Sequence, residues 1–382
     1  MRRILVGLLA ALLVLAGVDT LAWYWATGRL AAGFEAWAQR ERQAGWQVRS
    51  APPHRAGWPL SATLVVPHLR LALTRPQPGE PWPITWQAQD LFLRVRPQAP
   101  LHLSLAVAGR QDIGLRGAAP IPYTASRAEV EVPLDRGAEP ATLDLAIDGL
   151  RVGAADHPTL TIARLRLRSA PPARNMSPPA ARNMSPPAAR NGSPPAARNG
   201  SPPAARNGSP QPAVGFDLVT RDITLPPGRT WPLGRRIASV AAHGLLVGAW
   251  QAAGSPGQRI ASVQRAGGRL VLHEAALRWG PLDASLAARL RLDPALRLEG
   301  SGRVMMSGYA QALDTLAANG AVGNDTAVAA KAALSLLAGA PHPPGPATIT
   351  IPFTLRDGTL TADGLPLVRV PPLSPPPAPA KP

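Results

Sequence analysis

The residues that could do chemistry are few and scattered. Seven histidines (His54, His68, His102, His157, His243, His273 and His342) include no pair at i, i+4 and no His-Glu-x-x-His, the spacing that puts two imidazoles on one helix face around a zinc ion. His273-Glu274 is an adjacent pair that an unbroken strand would turn to opposite faces. There is no cysteine, which removes thiolate metal sites, disulfides and cysteine nucleophiles. No Gly-x-Ser-x-Gly elbow has triad partners, and Gly300-Ser301-Gly302 lies inside a strand pattern, where it reads as close packing and not as a phosphate loop. Asp222, Asp283 and Asp293 read as turn residues. No catalytic residue, cofactor or metal is therefore expected, and the chain is read as a non-enzyme. A cryptic hydrolase is kept as the least favoured alternative.

Charge points elsewhere. The net charge of +17 is almost all arginine, since Lys331 and Lys381 are the only lysines. A basic chain suits phosphate-bearing partners. These arginines, however, stand singly on strand faces, and aromatics, at 4 %, are not interleaved with basic runs. No nucleic acid is expected as a partner.

The elements that must carry any site begin with an apolar run from Ile4 to Ala26, preceded by Arg2 and Arg3 and closed by Trp23, Tyr24 and Trp25. As a helix the run is roughly 35 Å long, enough to cross a bilayer. Leading arginines favour a cytoplasmic N-terminus, and the aromatic trio fits the far interface. Residues 1–28 are thus expected to be an uncleaved single-pass transmembrane anchor in an inner membrane. Arg2, Arg3, Trp23, Tyr24 and Trp25 would lie at its interfaces, with the main domain in the periplasm. From Arg29 to Gln43, Leu30, Phe34, Trp37 and Ala38 recur at helical spacing, and Gly45 ends the pattern.

Beyond Trp46 the period changes to two. Leu91, Leu93 and Val95 alternate with Arg94 and Arg96, and Leu143, Leu145 and Ile147 with Asp144 and Asp148. Leu160, Ile162, Leu165 and Leu167 run with Thr161, Arg164 and Arg166. Residues 29–170 make a helix and a first antiparallel β region. Residues 171–212 repeat Ser-Pro-Pro-Ala-Ala-Arg-Asn followed by Met or Gly, a proline-rich linker or surface insertion that neither helix nor sheet accommodates. Residues 213–370 hold a second β region with a late helical pair, from about Tyr309 to Ala318 and from about Asp325 to Leu337. Asn324 or Asp325 would cap the second helix, with Val328, Leu334 and Leu337 inside and Gly339-Ala340-Pro341 stopping it. Asp357-Gly358 signals a hairpin, and 371–382 is a proline-rich tail. The fold class is mostly β: curved antiparallel sheet or sheets, an N-terminal transmembrane helix and a late helical pair. The two β regions could form one sheet or two.

This layout resembles the domain-of-unknown-function family 2125 of Gram-negative envelope proteins. The resemblance rests on the N-terminal anchor, the Trp-rich helix ending at Gly45-Trp46, and the Gly57-Trp58-Pro59-Leu60 turn with Pro67 beyond it. It rests also on Phe353-Thr354-Leu355-Arg356-Asp357-Gly358-Thr359-Leu360, followed by Gly364-Leu365-Pro366-Leu367. Trp58 stands where Phe or Tyr is expected. More distantly the chain is similar to the AsmA-like envelope proteins, which implies a grooved sheet and lipid handling at the inner membrane. The partners so implied are the inner membrane, with phospholipid or another envelope protein. The alternative expectation is a scaffold or interaction module of an envelope complex.

Overall fold

The computed structural model describes residues 2–73, 84–115, 119–134, 142–154, 157–170, 213–248, 256–337, 348–362 and 365–371. The octapeptide tract, the Gly339-Ala340-Pro341 stop and residues 372–382 of the tail lie outside them.

A 42-residue helix, α1 (Arg2–Gln43), opens the chain. Its composition explains it: Ala and Leu dominate and no proline interrupts. It ends where Gly45, at φ 93°, donates its N–H to the Arg42 carbonyl at 3.1 Å. The expected helix from Arg29 to Gln43 is the second part of this single element. The side chains of residues 2–15 lie outside the described set, and among the described residues no helix is long and apolar enough to cross a membrane.

Strands then follow almost without interruption: β1 (Trp46–Arg49), β2 (His54–Ala56), β3 (Ala62–Leu73), β4 (Ile84–Arg96), β5 (Ala99–Leu115), β6 (Ile121–Thr124), β7 (Arg127–Pro133), β8 (Leu143–Ala154), β9 (His157–Ala170), β10 (Ala213–Thr224) and β11 (Arg236–Val247). A short helix not expected from the sequence, α2 (Pro256–Arg265), separates β11 from β12 (Arg269–Trp279). After β13 (Leu282–Leu292) and β14 (Leu298–Ser307) come the helical pair α3 (Tyr309–Ala318) and α4 (Asn324–Leu337). The chain closes with β15 (Thr348–Arg356), β16 (Thr359–Ala362) and β17 (Leu365–Arg369).

All seventeen strands form one antiparallel sheet. From β3 onward neighbours in sequence pair in space, except β6 and β7. β1 and β2 both pair with β3 at one edge, and β6 and β7 share the place between β5 and β8. β9 and β10 pair along their length, with Ala170 opposite Gly215. The strands flanking the octapeptide tract are therefore a hairpin pair, and the two β regions are one sheet. Asp357 and Gly358, at φ 52° and 71°, turn β15 into β16 as their types predict.

The packed core sits at the α1 end. Phe34 and Ala38 meet Val48, Leu64, Val66, Leu69 and Leu93 in one buried cluster, with Leu30, Ala31 and Trp37 beside them. This is the stripe expected from the helical spacing. At the far end α3 packs against β13 and α4 against β15, and Tyr309, Ala312, Ala327 and Ile349 are buried there. Two expectations for α4 are corrected. Gly323 takes the cap position, its carbonyl accepting the Ala327 N–H at 2.9 Å, so Asn324 and Asp325 lie in the first turn. Val328 is exposed and its neighbour Ala327 buried, one residue off the expected stripe.

Candidate functional site

Residues directly opposite on antiparallel strands share a face, so register alone divides this sheet into two surfaces. One row of partners runs Leu64, Leu93, Leu105, Val130, Leu145, Leu167, Leu218, Ala242, Ala275, Leu286, Val304, Ile351. Every member is apolar, from β3 to β15. The adjacent row, one residue along each strand, runs Arg94, Ser104, Glu131, Asp144, Arg168, Asp217, His243, Glu274. Every member is polar, and acids and bases alternate along its second half. A slip of one residue anywhere would exchange the two faces, which ties the register tightly to the hydrophobic pattern.

Among the described residues helices cover the apolar face at its ends, and between them Thr220, on the Leu218 side of β10, is buried. Leu64 and Leu93 are buried under α1, and Ile349 is buried at the α3–α4 end. Between them, on β5 and β7 to β12, side chains such as Leu105, Leu145, Leu167 and Leu218 are only half-buried. No helix is among the elements that pack closely on these strands within the described residues.

A crease crosses this open region. His68 on β3, Gly109 on β5, Gly149 on β8 and Asp222 on β10 all have positive φ, at 50°, 76°, 59° and 52°. Register places them on one line with Gln89, Ser126, Ala163 and Ala238 of the intervening strands. At the line the alternation resets. Val66 and Leu69 are three apart yet both belong to the α1 core, and on the neighbouring strand buried Ala88 and Leu91, packed against that core, are three apart as well. At Gly149 (φ 59°) a Cβ would stand 2.7 Å from Ser126 Oγ, so any side chain there would displace that hydroxyl, and a β-branched one would be strained. On the charged side of the crease a cavity of about 390 Å³ is lined by Arg151, Thr161, Thr224 and Arg236, with Asp222 holding Arg236 at 2.7 Å.

Polar groups intrude on the apolar face near the crease. Trp86 Nε1 donates to Tyr123 Oη at 2.6 Å. Burial pushes the Tyr123 hydroxyl pKa up, so the phenol stays neutral. Gln111, opposite Ala88, is 2 % exposed, and its Nε2 has no partner among the described residues.

The charged face is a ladder of ion pairs. Arg168 meets Asp144 at 2.8 Å and Arg166 meets Asp148 at 2.9 Å. Glu129 is buried beneath Arg127 and Arg96 and accepts from Ser104. Burial works against its charge, but the hydrogen bonds from Ser104 and Arg127 and the two guanidinium charges outweigh it and hold its carboxyl below the usual range. Asp148 is lowered chiefly by the hydrogen bond from Arg166.

Three sequence expectations change here. A bulge at His273 and Glu274 breaks the alternation. His273 lies 5.6 Å from His243, whose register partner is Glu274, so both members of the pair turn to the charged face. With Asp217 3.9 Å from His243 they form a loose row, and among the described residues no group of side chains could hold a metal ion. Asp222 lies at the crease within β10, and Asp283 within β13, paired with Arg278 at 3.0 Å; neither is a turn residue. Asp293 does sit in a turn and accepts the Arg297 N–H at 2.7 Å.

Of the five residues expected at membrane interfaces, the side chains of Arg2 and Arg3 are outside the described set. Trp23, Tyr24 and Trp25 lie on α1 before its packed stripe. Trp23 is half-buried and donates to the Ala56 carbonyl at 3.3 Å. Tyr24 and Trp25 are exposed, with Arg55 4.0 Å over the first ring and Arg29 5.4 Å over the second.

Fold and surface together define a single-sheet meander, buttressed by helices at both ends, with one apolar and one ion-paired face. The chain belongs to the DUF2125 family, described as uncharacterized protein conserved in bacteria, whose model matches residues 23–371. Comparison with curated proteins and with solved structures gives no match.

Proposed function

We propose that this protein is a non-enzymatic lipid-handling component of the cell envelope. In this reading it is held in the inner membrane by one N-terminal transmembrane helix, its N-terminus cytoplasmic and its sheet in the periplasm. The supporting observation is the uninterrupted apolar row from β7 to β12, half-buried and with no helix packed closely on it among the described residues. A sheet curled around this face would give a trough whose apolar floor matches acyl chains, with the ion-paired face in water. The anchor would bring the trough to the membrane that supplies them.

The test uses the full chain in vesicles doped with a phospholipid carrying a photoreactive group at its acyl terminus. After irradiation, crosslinked peptides are mapped by mass spectrometry. Adducts on the apolar face of β8 to β11 support the reading; adducts confined to α1 overturn it.

A second reading, an interaction module for another envelope protein, is supported by the edge strand β17. Leu367 and Val368 are exposed there, and one side of the strand is unpaired among the described residues.

A further inference from the structure

The turn Gly57–Leu60, between β2 and β3, stands beside the aromatic segment of α1. Ala56 accepts the Trp23 indole N–H at 3.3 Å, and Arg55 covers the Tyr24 ring at 4.0 Å. The next residues in the chain carry the turn outward. Trp58 is 54 % exposed and Leu60 79 %, the largest exposure among the large apolar side chains described. On α1, Leu21 and Trp25 are 73 % and 67 % exposed.

The turn is built to hold this posture. Gly57 has φ 88°, and a Cβ there would stand 2.5 Å from Ser61 Oγ. The Ser61 N–H closes the turn onto the Gly57 carbonyl at 2.8 Å. A rigid turn that exposes a tryptophan and a leucine gains nothing in water. No acid occurs from Thr20 to Phe34, between Asp19 and Glu35, or from Ser50 to Val66, whereas Arg29, His54 and Arg55 do. Tryptophan, leucine and arginine without carboxylates is the composition that favours a bilayer interface: the indole sits at headgroup depth and guanidinium meets lipid phosphate.

We infer that the Gly57–Leu60 turn is a second membrane contact, inserting Trp58 and Leu60 into the interface beside Tyr24 and Trp25. With α1 it fixes the β2–β3 edge of the sheet against the bilayer. This rests on the membrane-anchored reading above. A single helix would leave the sheet free to swivel; two contacts would set its orientation.

The absence of native cysteine makes the test direct. Single substitutions Trp58→Cys, Leu60→Cys, Leu21→Cys and Val368→Cys are spin-labelled in the full chain. The protein is reconstituted in phosphatidylethanolamine–phosphatidylglycerol vesicles. Collision with oxygen, which concentrates in lipid, is compared with collision with a water-soluble nickel chelate. The expected result is oxygen preference at 58 and 60 and nickel preference at 368. Leu60→Cys serves if Trp58→Cys misfolds. If 58 and 60 behave like 368 while 21 prefers oxygen, the anchor stands and this inference falls. Labels at 58 and 60 shielded from both reagents would mark a protein contact and also overturn it. Nickel preference at 21 would instead remove the anchor reading.

Discussion

Two leucines on the same register row separate an open apolar face from a buried one. Leu64 is 1 % exposed beneath α1, whereas Leu167, five strands away on β9, is half-buried with no helix packed closely on its strand among the described residues. Leu64→Ala removes a packed side chain and leaves a cavity, so it should cost about 3–4 kcal/mol. Leu167→Ala forfeits only the part of the transfer term already gained, about 1 kcal/mol, and solvent or ligand enters the space, so no cavity term is added. The assay is urea unfolding of the full chain, followed by far-UV circular dichroism, with the slopes checked for equality. The predicted outcome is a loss at least twice as large for Leu64→Ala. Equal losses would mean that a layer covers β8 to β11 as α1 covers β3, and the trough would not exist. A second comparison sharpens the point. Added phospholipid should raise the midpoint of the unaltered chain, because a ligand that binds only the folded sheet stabilises it.

Other expectations follow from the crease, the charged face and the helix contact. Gly149→Val should destabilise by at least about 2 kcal/mol, since a β-branched residue meets both φ 59° and the Ser126 hydroxyl; His68→Gly at the same line should be neutral or slightly stabilising, and thermal unfolding of both variants reads the pair. Glu129 and Asp148 have folded pKa values below their unfolded ones, so their stabilisation is full above about pH 4–5 and is lost as pH falls through the lowered values. Glu129→Gln should flatten that acid limb in a pH series of denaturation midpoints. Phe34→Ala should cost about 3–5 kcal/mol and release the C-terminal half of α1 from β3, seen as faster amide exchange in residues 30–43.

Much of this architecture was legible because the sheet is so strictly two-faced. Alternation at Leu91–Val95 and Leu143–Asp148 identified the strands and their faces, and Asp357-Gly358 its hairpin. The helix pair came from a different period. What was missed has a physical signature in retrospect. The crease is a step of three between apolar residues, Ile162 to Leu165 and Ile147 to Leu150, which alternation treats as noise. Only when several strands show the step at one register position does it become a feature, and register is a long-range property. The same applies to His273-Glu274, whose shared face depends on a bulge set by β11 and β13. The short helix α2 carries too few apolar positions to declare a period. The unity of the sheet was hidden by the octapeptide tract, because a long insertion looks like a boundary until its flanking strands are seen to pair.

That pairing bears on what the molecule is for. A sheet divided into two closed units would bury its apolar residues within each, and nothing would remain to offer a ligand. Seventeen strands in one layer cannot do so, because one face of a single sheet needs a second layer, and among the described residues α1, α3 and α4 supply it at the ends. On the reading proposed above, the middle of that face meets a ligand. A fixed protein partner would tolerate breaks in the apolar row wherever its surface was polar. A mobile chain of methylenes would tolerate fewer, since a polar group without a partner costs about 1–3 kcal/mol wherever the chain passes. The row from Leu105 to Leu286 has no polar member. Off it the same face carries Gln111 and Tyr123 close to the crease, and Thr220 and Ser169 on β10 and β9. On the lipid-handling reading proposed above, an unbroken path of this kind suits a sliding acyl chain, and Leu167→Arg should abolish acyl-chain crosslinking on β8 to β11 while leaving the far-UV spectrum unchanged.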